Sequence, residues 1–399
     1  MKIVIVSASL SEKMGYSISF LPKALAELGH EVHLVTSNTQ VYFGSPDYKD
    51  IFERFIGPGV VECCVRPYKG FTLHRLPYRM GPRRALGIRG LIGKIKEINP
   101  DIVHSFGLMV EPTYELALAK PFFKYKLFAE CHIHASVFPP MLVKVRSLKR
   151  WLYWRVYKLL CGKLLNATCE LCIAISTDAA QIAMDYFGLS HKKTVVHSLG
   201  TDTQMFKPWY ECDQKARLNF RRSLGFQDDH IVCIYTGRLH EGKDPLILAR
   251  AIDQLVKKGK PYRAIFVGDG PEEYREQLKK HQGCVFVPFV TIDELPQCYQ
   301  AADIAVWPKQ ESTSQLDAAS CGLPLILSDR VKVVERVNGN GLLYEENNLD
   351  DLISKLLQLQ QADVRRKMGE VGVRNMREKF SWQKVAQGYI EDFERALKK

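Results

Sequence analysis

The chain has 399 residues, 46% of them hydrophobic and 25% charged, a balance that excludes disordered and fibrous classes and suits two domains of roughly 150 to 200 residues each. No apolar run reaches the roughly 18 residues that cross a bilayer, and the opening MKIVIVSASL lacks the long apolar core and cleavage site of a signal peptide. The net charge of +12 is lopsided: residues 1 to 200 carry 26 Lys and Arg against 15 Asp and Glu, whereas the remainder holds 30 against 29. The chain is expected to be cytoplasmic, with an anionic partner for its first half.

The first predicted element is a buried strand, Lys2-Ile-Val-Ile-Val-Ser-Ala, followed by a loop around Gly15. A helix comes next, with Leu21, Ala24, Leu25 and Leu28 on one face, ending at Gly29. Glu31-Val-His-Leu-Val-Thr resumes as a strand, so the chain starts as a βαβ unit of a parallel sheet. From Cys63 to Lys96 there is no acid and there are nine bases. Further strands are predicted at Asp101–His104, Lys126–Glu130 and Leu171–Ser176. Such sheets bind ligands beyond the carboxyl ends of their strands, which singles out the loops at 7–15, 104–107 and 132–134. From Cys131 to Cys169 acids are again absent. The stretch MLVKVRSLKRWLYWRVYKLL inside it reads as a helix with bases on all sides and Trp151 and Trp154 toward a core, or as part of a lipid-binding surface.

Turn-rich residues 197–208 separate this half from a second one. There, strands are predicted at Ile231–Thr236, Arg263–Val267, Val285–Val287, Asp303–Trp307 and Pro324–Leu327, with helices between them. Two charged amphipathic helices, 362–379 and 382–398, close the chain. The fold class is α/β, with two Rossmann-like domains: 1–204, 205–380, and a last helix from 381 to 399 packing back toward the first domain.

Eleven cysteines without a paired spacing are expected to be free thiols. Neither Cys169-Glu-Leu-Cys172 nor Cys131-His132-Ile-His134 has the second pair that a zinc site needs. No zinc or RNA-binding signature accompanies the positive charge, so no nucleic-acid partner is expected.

Three segments could carry chemistry. Gly237-Arg238-Leu-His-Glu-Gly-Lys243-Asp244-Pro245 follows a strand and enters a helix, with Asp244 as the expected N-cap and Pro245 in the first turn. The Arg238 fork and the Lys243 ammonium then converge where a diphosphate would bind. In Trp307-Pro-Lys-Gln-Glu311-Ser312-Thr313-Ser314-Gln-Leu-Asp317, a helix start offers backbone N–H groups to an anion and carboxylates to a ribose diol. Ser314 and Asp317 equally satisfy a capping box that needs no ligand. Gly268, in Val267-Gly-Asp-Gly270, is a third glycine turn after a strand. Neither it nor the first loop has the GxGxxG of a dinucleotide enzyme.

Over nearly its whole length the chain resembles the two-domain GT-B glycosyltransferases, specifically the large retaining group called family four. The resemblance rests on MKIVIVSA with Leu25-Ala-Glu-Leu-Gly-His-Glu-Val, Pro100-Asp-Ile-Val-His104, the strand ending in His132, and Ile173-Ala-Ile-Ser. It extends through Gly200-Thr-Asp202 with Phe206 and Pro208, Gly237-Arg238 with Lys243, and Ala302-Asp303-Ile to Gly322-Leu-Pro324. It implies two Rossmann-like domains facing a cleft, and transfer of a hexosyl unit with retention from a UDP- or GDP-sugar to a glycan or lipid-linked acceptor. Cell-surface polysaccharide or glycolipid synthesis would be the setting, peripheral on the inner face of the membrane. Arg238, Lys243 and His132 are the implied catalytic residues; Gly15, Gly237, Gly268, Glu311, Ser312, Thr313, Ser314 and Asp317 are the implied donor-binding ones. No cofactor and no metal are expected, because the bases neutralise the diphosphate and the chain has no Asp-x-Asp.

The sequence departs from the family at its acidic pair. Asp317 occupies the place of the second glutamate, Lys309 that of the first, and Glu311 lies two residues late. Alternatives on the same scaffold are a silent binding subunit, a sugar-nucleotide epimerase and a phosphorylase.

Overall fold

A computed structural model describes residues 1–46, 48–81, 86–136, 138 and 148–398, without the side chains of Trp151 and Trp154 among others. The chain forms two compact units, Met1–Leu199 with Trp382–Lys399, and Gly200–Ser381.

Among the described residues the first unit contains ten strands: β1 (Lys2–Ser7), β2 (Glu31–Ser37), β3 (Cys64–Tyr68), β4 (Phe71–Leu76), β5 (Tyr78–Met80), β6 (Leu86–Ile88), β7 (Ile102–Phe106), β8 (Lys126–Cys131), β9 (Cys169–Ala174) and β10 (Thr194–Val196). Eight of them form one sheet in the order β10-β9-β8-β7-β1-β2-β4-β3, and β5 pairs with β6 in a separate ribbon. All neighbours in the sheet are parallel except β3 with β4. Helices cover both faces of such a sheet, which is why β1 reads as an unbroken apolar run, with Ile3, Val4, Ile5 and Val6 all buried.

The second unit holds β11 (Ile231–Thr236), β12 (Tyr262–Val267), β13 (Cys284–Val287), β14 (Ile304–Trp307), β15 (Leu325–Ser328) and β16 (Gly341–Tyr344). They form a parallel sheet in the order β13-β12-β11-β14-β15-β16. This is the doubly wound order in which the chain leaves the central strand first to one side and then to the other. The crevice so created opens beyond the carboxyl ends of β11 and β14.

The strands predicted for this half all form, and the sheet gains β16 at its edge. β7 runs two residues further than expected, so His104 lies inside a buried strand rather than at a loop. The units divide between Leu199 and Gly200, five residues before the predicted boundary, because the following residues pack on the second unit. Thr201 Oγ1 donates to Asp317 Oδ1 at 2.7 Å, and Ser320 Oγ to the Phe206 carbonyl at 2.6 Å. The closing helix Trp382–Leu397 belongs to the first unit, where Trp382 stacks on Phe20 and His197 Nε2 meets Asp392 Oδ2 at 2.8 Å. All eleven cysteines are free.

Candidate functional site

In the second unit the switch point brings together the two segments singled out by sequence. The loop after β11 holds Gly237, Arg238 and Lys243; the loop after β14 holds Lys309, Glu311 and the run 312–314. The Trp307 indole donates to the Thr236 carbonyl at 2.9 Å, tying the two strand ends together. Lys309 Nζ lies 3.0 Å from Asp244 Oδ2, bridging the loops themselves.

The charges are packed closely enough to perturb one another. His240, between Arg238 and Lys243, is pushed below its ordinary pKa first by burial and then by the Lys243 and Arg238 cations. Burial also lowers Lys243, while the Glu311 carboxylate pulls it back up. Glu311 is itself buried and accepts from the Lys332 amide at 2.8 Å. Two bases and one acid thus face the same crevice in a setting of reduced dielectric, where charge is worth more than in water.

Two local expectations are corrected. Asp244 does stand at the N-cap of helix Pro245–Lys257, but with φ at 46° its side chain makes no capping bond. Its carboxylate goes to Lys309 instead. The capping box at 314–317 does not form: the N-cap is Thr313, in helical conformation, and Ser314 is already the first residue of helix Ser314–Ser320. The Asp317 carboxylate turns away to Thr201, a tertiary partner that outcompetes the local one. Intrahelical bonding begins with Gln315 N to Ser312 O at 3.3 Å, so the amides of Ser312, Thr313 and Ser314 precede it.

Asp317 is nearly fully buried, and its pKa is pushed up to about 7, first by burial and further by the Asp202 charge, against the Thr201 bond and Arg336. The folded state holds this proton more tightly than the unfolded chain, so stability falls as pH rises from about 4 to about 7. Asp317→Asn removes that slope. Its expected melting point exceeds the parent's at pH 8, by no more than about 4 kcal/mol in stability, and matches it near pH 4; a pH series of thermal melts checks this.

Gly268 supports the loop rather than lining it. Its φ is +141°, and a Cβ there would stand 2.0 Å from the Gly237 carbonyl oxygen. The turn after β12 thereby props the loop after β11, helped by Leu239 N donating to Asp269 O at 2.8 Å. Gly268→Ala is expected to cost about 2 kcal/mol or more and to displace Arg238. A thermal melt alongside a nucleotide titration reads both effects.

In the first unit, Gly15 lies in the loop between β1 and helix Ser17–Glu27, and His132 follows directly on β8. Sequence reasoning missed what holds His132. Glu130 is buried in β8, with His132 Nε2 at 2.8 Å, His104 Nε2 at 2.6 Å and the Tyr389 hydroxyl donating at 3.0 Å. Burial alone would raise the Glu130 carboxyl; the His132 and His104 rings instead hold it well below the usual carboxylate range. Phe106 stacks on His132 at 5.2 Å. The only sequence signal was an acid at an inward position of an apolar strand, LFAEC.

Residues 16–205 match the model of the family described as "Glycosyltransferase Family 4", and residues 230–362 that described as "Glycosyl transferases group 1". The sulfoquinovosyl transferase SQD2 of Arabidopsis thaliana is 24% identical over 90% of this chain, which spans 66% of that protein's length. A D-inositol 3-phosphate glycosyltransferase of Corynebacterium aurimucosum is likewise 24% identical, over 91% of this chain and 86% of its own. Among solved structures, a glycosyltransferase from Rickettsia africae matches 100% of this chain and 98% of its own with a TM-score of 0.73 at 16% identity. Anabaena Alr3699/HepE in complex with UDP-glucose matches with a TM-score of 0.67 at 18% identity, over 99% of this chain and 100% of its own. The shared fold is GT-B.

Proposed function

Because the chain belongs to the family 4, group 1 glycosyltransferases, we propose that it transfers a hexosyl unit, with retention and without a metal, from a nucleoside diphosphate sugar to a glycan or lipid-linked acceptor. The setting is cell-surface polysaccharide or glycolipid synthesis. The observation that carries this reading is the clustering of Arg238, Lys243 and Glu311 at the switch point of the second sheet.

The diphosphate sits against Arg238 and Lys243, with the amides of Ser312, Thr313 and Ser314 on its other side. Asp317, whose Oδ1 is taken by Thr201, offers Oδ2 to the ribose. Glu311, two residues from its usual slot, is assigned to the sugar hydroxyls, and His132 to the transferred sugar. The bond from the anomeric carbon to the diphosphate breaks, with the electron pair leaving on the diphosphate. The acceptor oxygen bonds to the same face, and its proton passes to a departing phosphate oxygen. The protein's largest contribution is positive charge fixed where negative charge grows.

A thermal-shift panel of UDP-, GDP- and ADP-sugars on the full chain tests the reading and identifies the base, because a ligand bound only by the folded state raises the melting point. One sugar nucleotide is expected to raise it by several degrees; a flat response to all three contradicts a donor site.

A further inference from the structure

In the first unit the loops that follow β1 and β2 build an aromatic shelf. Tyr42 has a φ of 65°, a left-handed conformation that is an outlier for so bulky a side chain. Its neighbours impose it. Ser11, itself buried, donates through Oγ to Gln40 Oε1 at 2.6 Å and accepts from the Val41 amide at 3.0 Å, and the Gln40 amide donates to the Gly59 carbonyl at 2.9 Å. Strain that the surroundings hold in place is a pointer to function. Here it sets one ring: Tyr42 stacks on Phe52 at 4.6 Å with 20° between the planes, and its hydroxyl meets that of Tyr16, the N-cap of helix Ser17–Glu27, at 2.8 Å. Phe52 is buried and closes a single π-helical turn, Tyr48–Phe52, a geometry that recurs at functional sites. One face of the Tyr42 ring is thus covered, and the exposure that remains to the residue, 42%, lies on its outer side.

The place and the chemistry of the shelf indicate its ligand. The first sheet changes direction at β1, with β2 on one side and β7 on the other, and both loops leave the carboxyl ends of their strands, where such sheets bind ligands. The shelf is a flat apolar face edged by two linked phenol hydroxyls. A pyranose has the matching form: C–H hydrogens on one face suit the negative face of an aromatic ring, and hydroxyls line the rim. A phosphate finds less here, because Glu12 engages Arg66 and Arg75, and Lys13 donates to the Phe55 carbonyl. We propose that Tyr42, backed by Phe52 and edged by Tyr16, is a stacking subsite for a pyranose ring, which makes the acceptor a saccharide. That last identification rests on the transferase reading above; the sugar subsite itself does not.

Saturation-transfer NMR of the full chain with the methyl pyranosides of glucose, galactose, mannose and N-acetylglucosamine, and with uridine and guanosine, tests it. At least one pyranoside is expected to receive saturation, strongest at the ring protons of one face. Tyr42→Ala is expected to weaken its affinity about 5- to 10-fold, whereas Tyr42→Phe keeps the stacking face and most of the binding. Tyr42→Gly suits the left-handed backbone, so it removes the ring without strain and gives the same loss should the alanine variant fold poorly. The thermal shift produced by the donor sugar nucleotide is expected to be unchanged in all three, so that failure of the subsite and failure of the donor site read out separately. The proposal is overturned by a parent chain to which no pyranoside binds, or by binding that Tyr42→Ala and Tyr42→Gly leave intact. Saturation of the nucleosides alone, lost with the Tyr42 ring, overturns it too, in favour of a base-stacking shelf.

Discussion

Arg238→Ala and Lys243→Ala are each expected to lower affinity for the nucleoside diphosphate sugar about 10- to 100-fold, since a hydrogen bond to a charged group is worth about 1.5–3 kcal/mol. Transfer rates should fall further, about 10²- to 10³-fold, because charge on the diphosphate grows in the transition state. Losing Lys243 relieves a desolvation penalty but also takes a cation from beside the buried Glu311 carboxylate, so a modest fall in melting point is expected with the loss of binding. Lys243→Arg is an informative companion, since the longer guanidinium keeps the charge but cannot occupy the same place. Equilibrium titration with the nucleotide, next to a thermal melt of each variant, separates lost binding from lost folding.

The second large effect concerns the fold beneath the site. Asp303, just ahead of β14, accepts from Arg217 Nη2 at 2.9 Å, from Arg221 Nη1 at 3.1 Å and from the Val232 amide of β11 at 2.8 Å. Arg221 is buried, and its guanidinium also donates to the Ala301 carbonyl. Asp303 therefore pins β14 to β11 at their amino ends, which sets how their carboxyl ends, and the two donor loops, come level. Asp303→Ala leaves a buried guanidinium without its counter-charge, at a cost of about 3–5 kcal/mol. For a unit of this size that is a fall of roughly 10 °C in melting temperature. Asp303→Asn, which can still accept from the Val232 amide, should fall less. A melt indistinguishable from the parent would show that the pin does not govern the sheet.

Much of this was legible in the sequence because parallel strands buried on both faces read as unbroken apolar runs. The runs at β1, β11 and β12 needed no tertiary information, nor did the Gly-Arg and Lys of the loop after β11. β4 escaped notice because it carries His74 and Arg75 into the interior. Their partners arrive from elsewhere: His33 faces His74 at 3.0 Å, and Glu12 accepts from Arg75 at 3.1 Å. No local pattern announces a strand whose polar residues find their partners on other elements. Asp317 shows the converse, where a local pattern was present and lost. Ser314 and Asp317 have the spacing of a capping box, but Thr201, more than a hundred residues away in sequence, holds the carboxylate. Glu130 is a third case, since its tie to Tyr389 crosses 259 positions.

The central claim is that Arg238 and Lys243 hold the diphosphate of a donor nucleotide. The most direct measurement is a pair of calorimetric titrations of the full chain, with the nucleoside diphosphate and with the matching monophosphate, repeated on the Arg238→Ala, Lys243→Ala double variant. The expected result is about 10-fold or more in favour of the diphosphate, an advantage that disappears in the double variant while monophosphate affinity is largely kept. Equal affinity for the two nucleotides in the parent chain, or a preference for the diphosphate that survives removal of both bases, would contradict it.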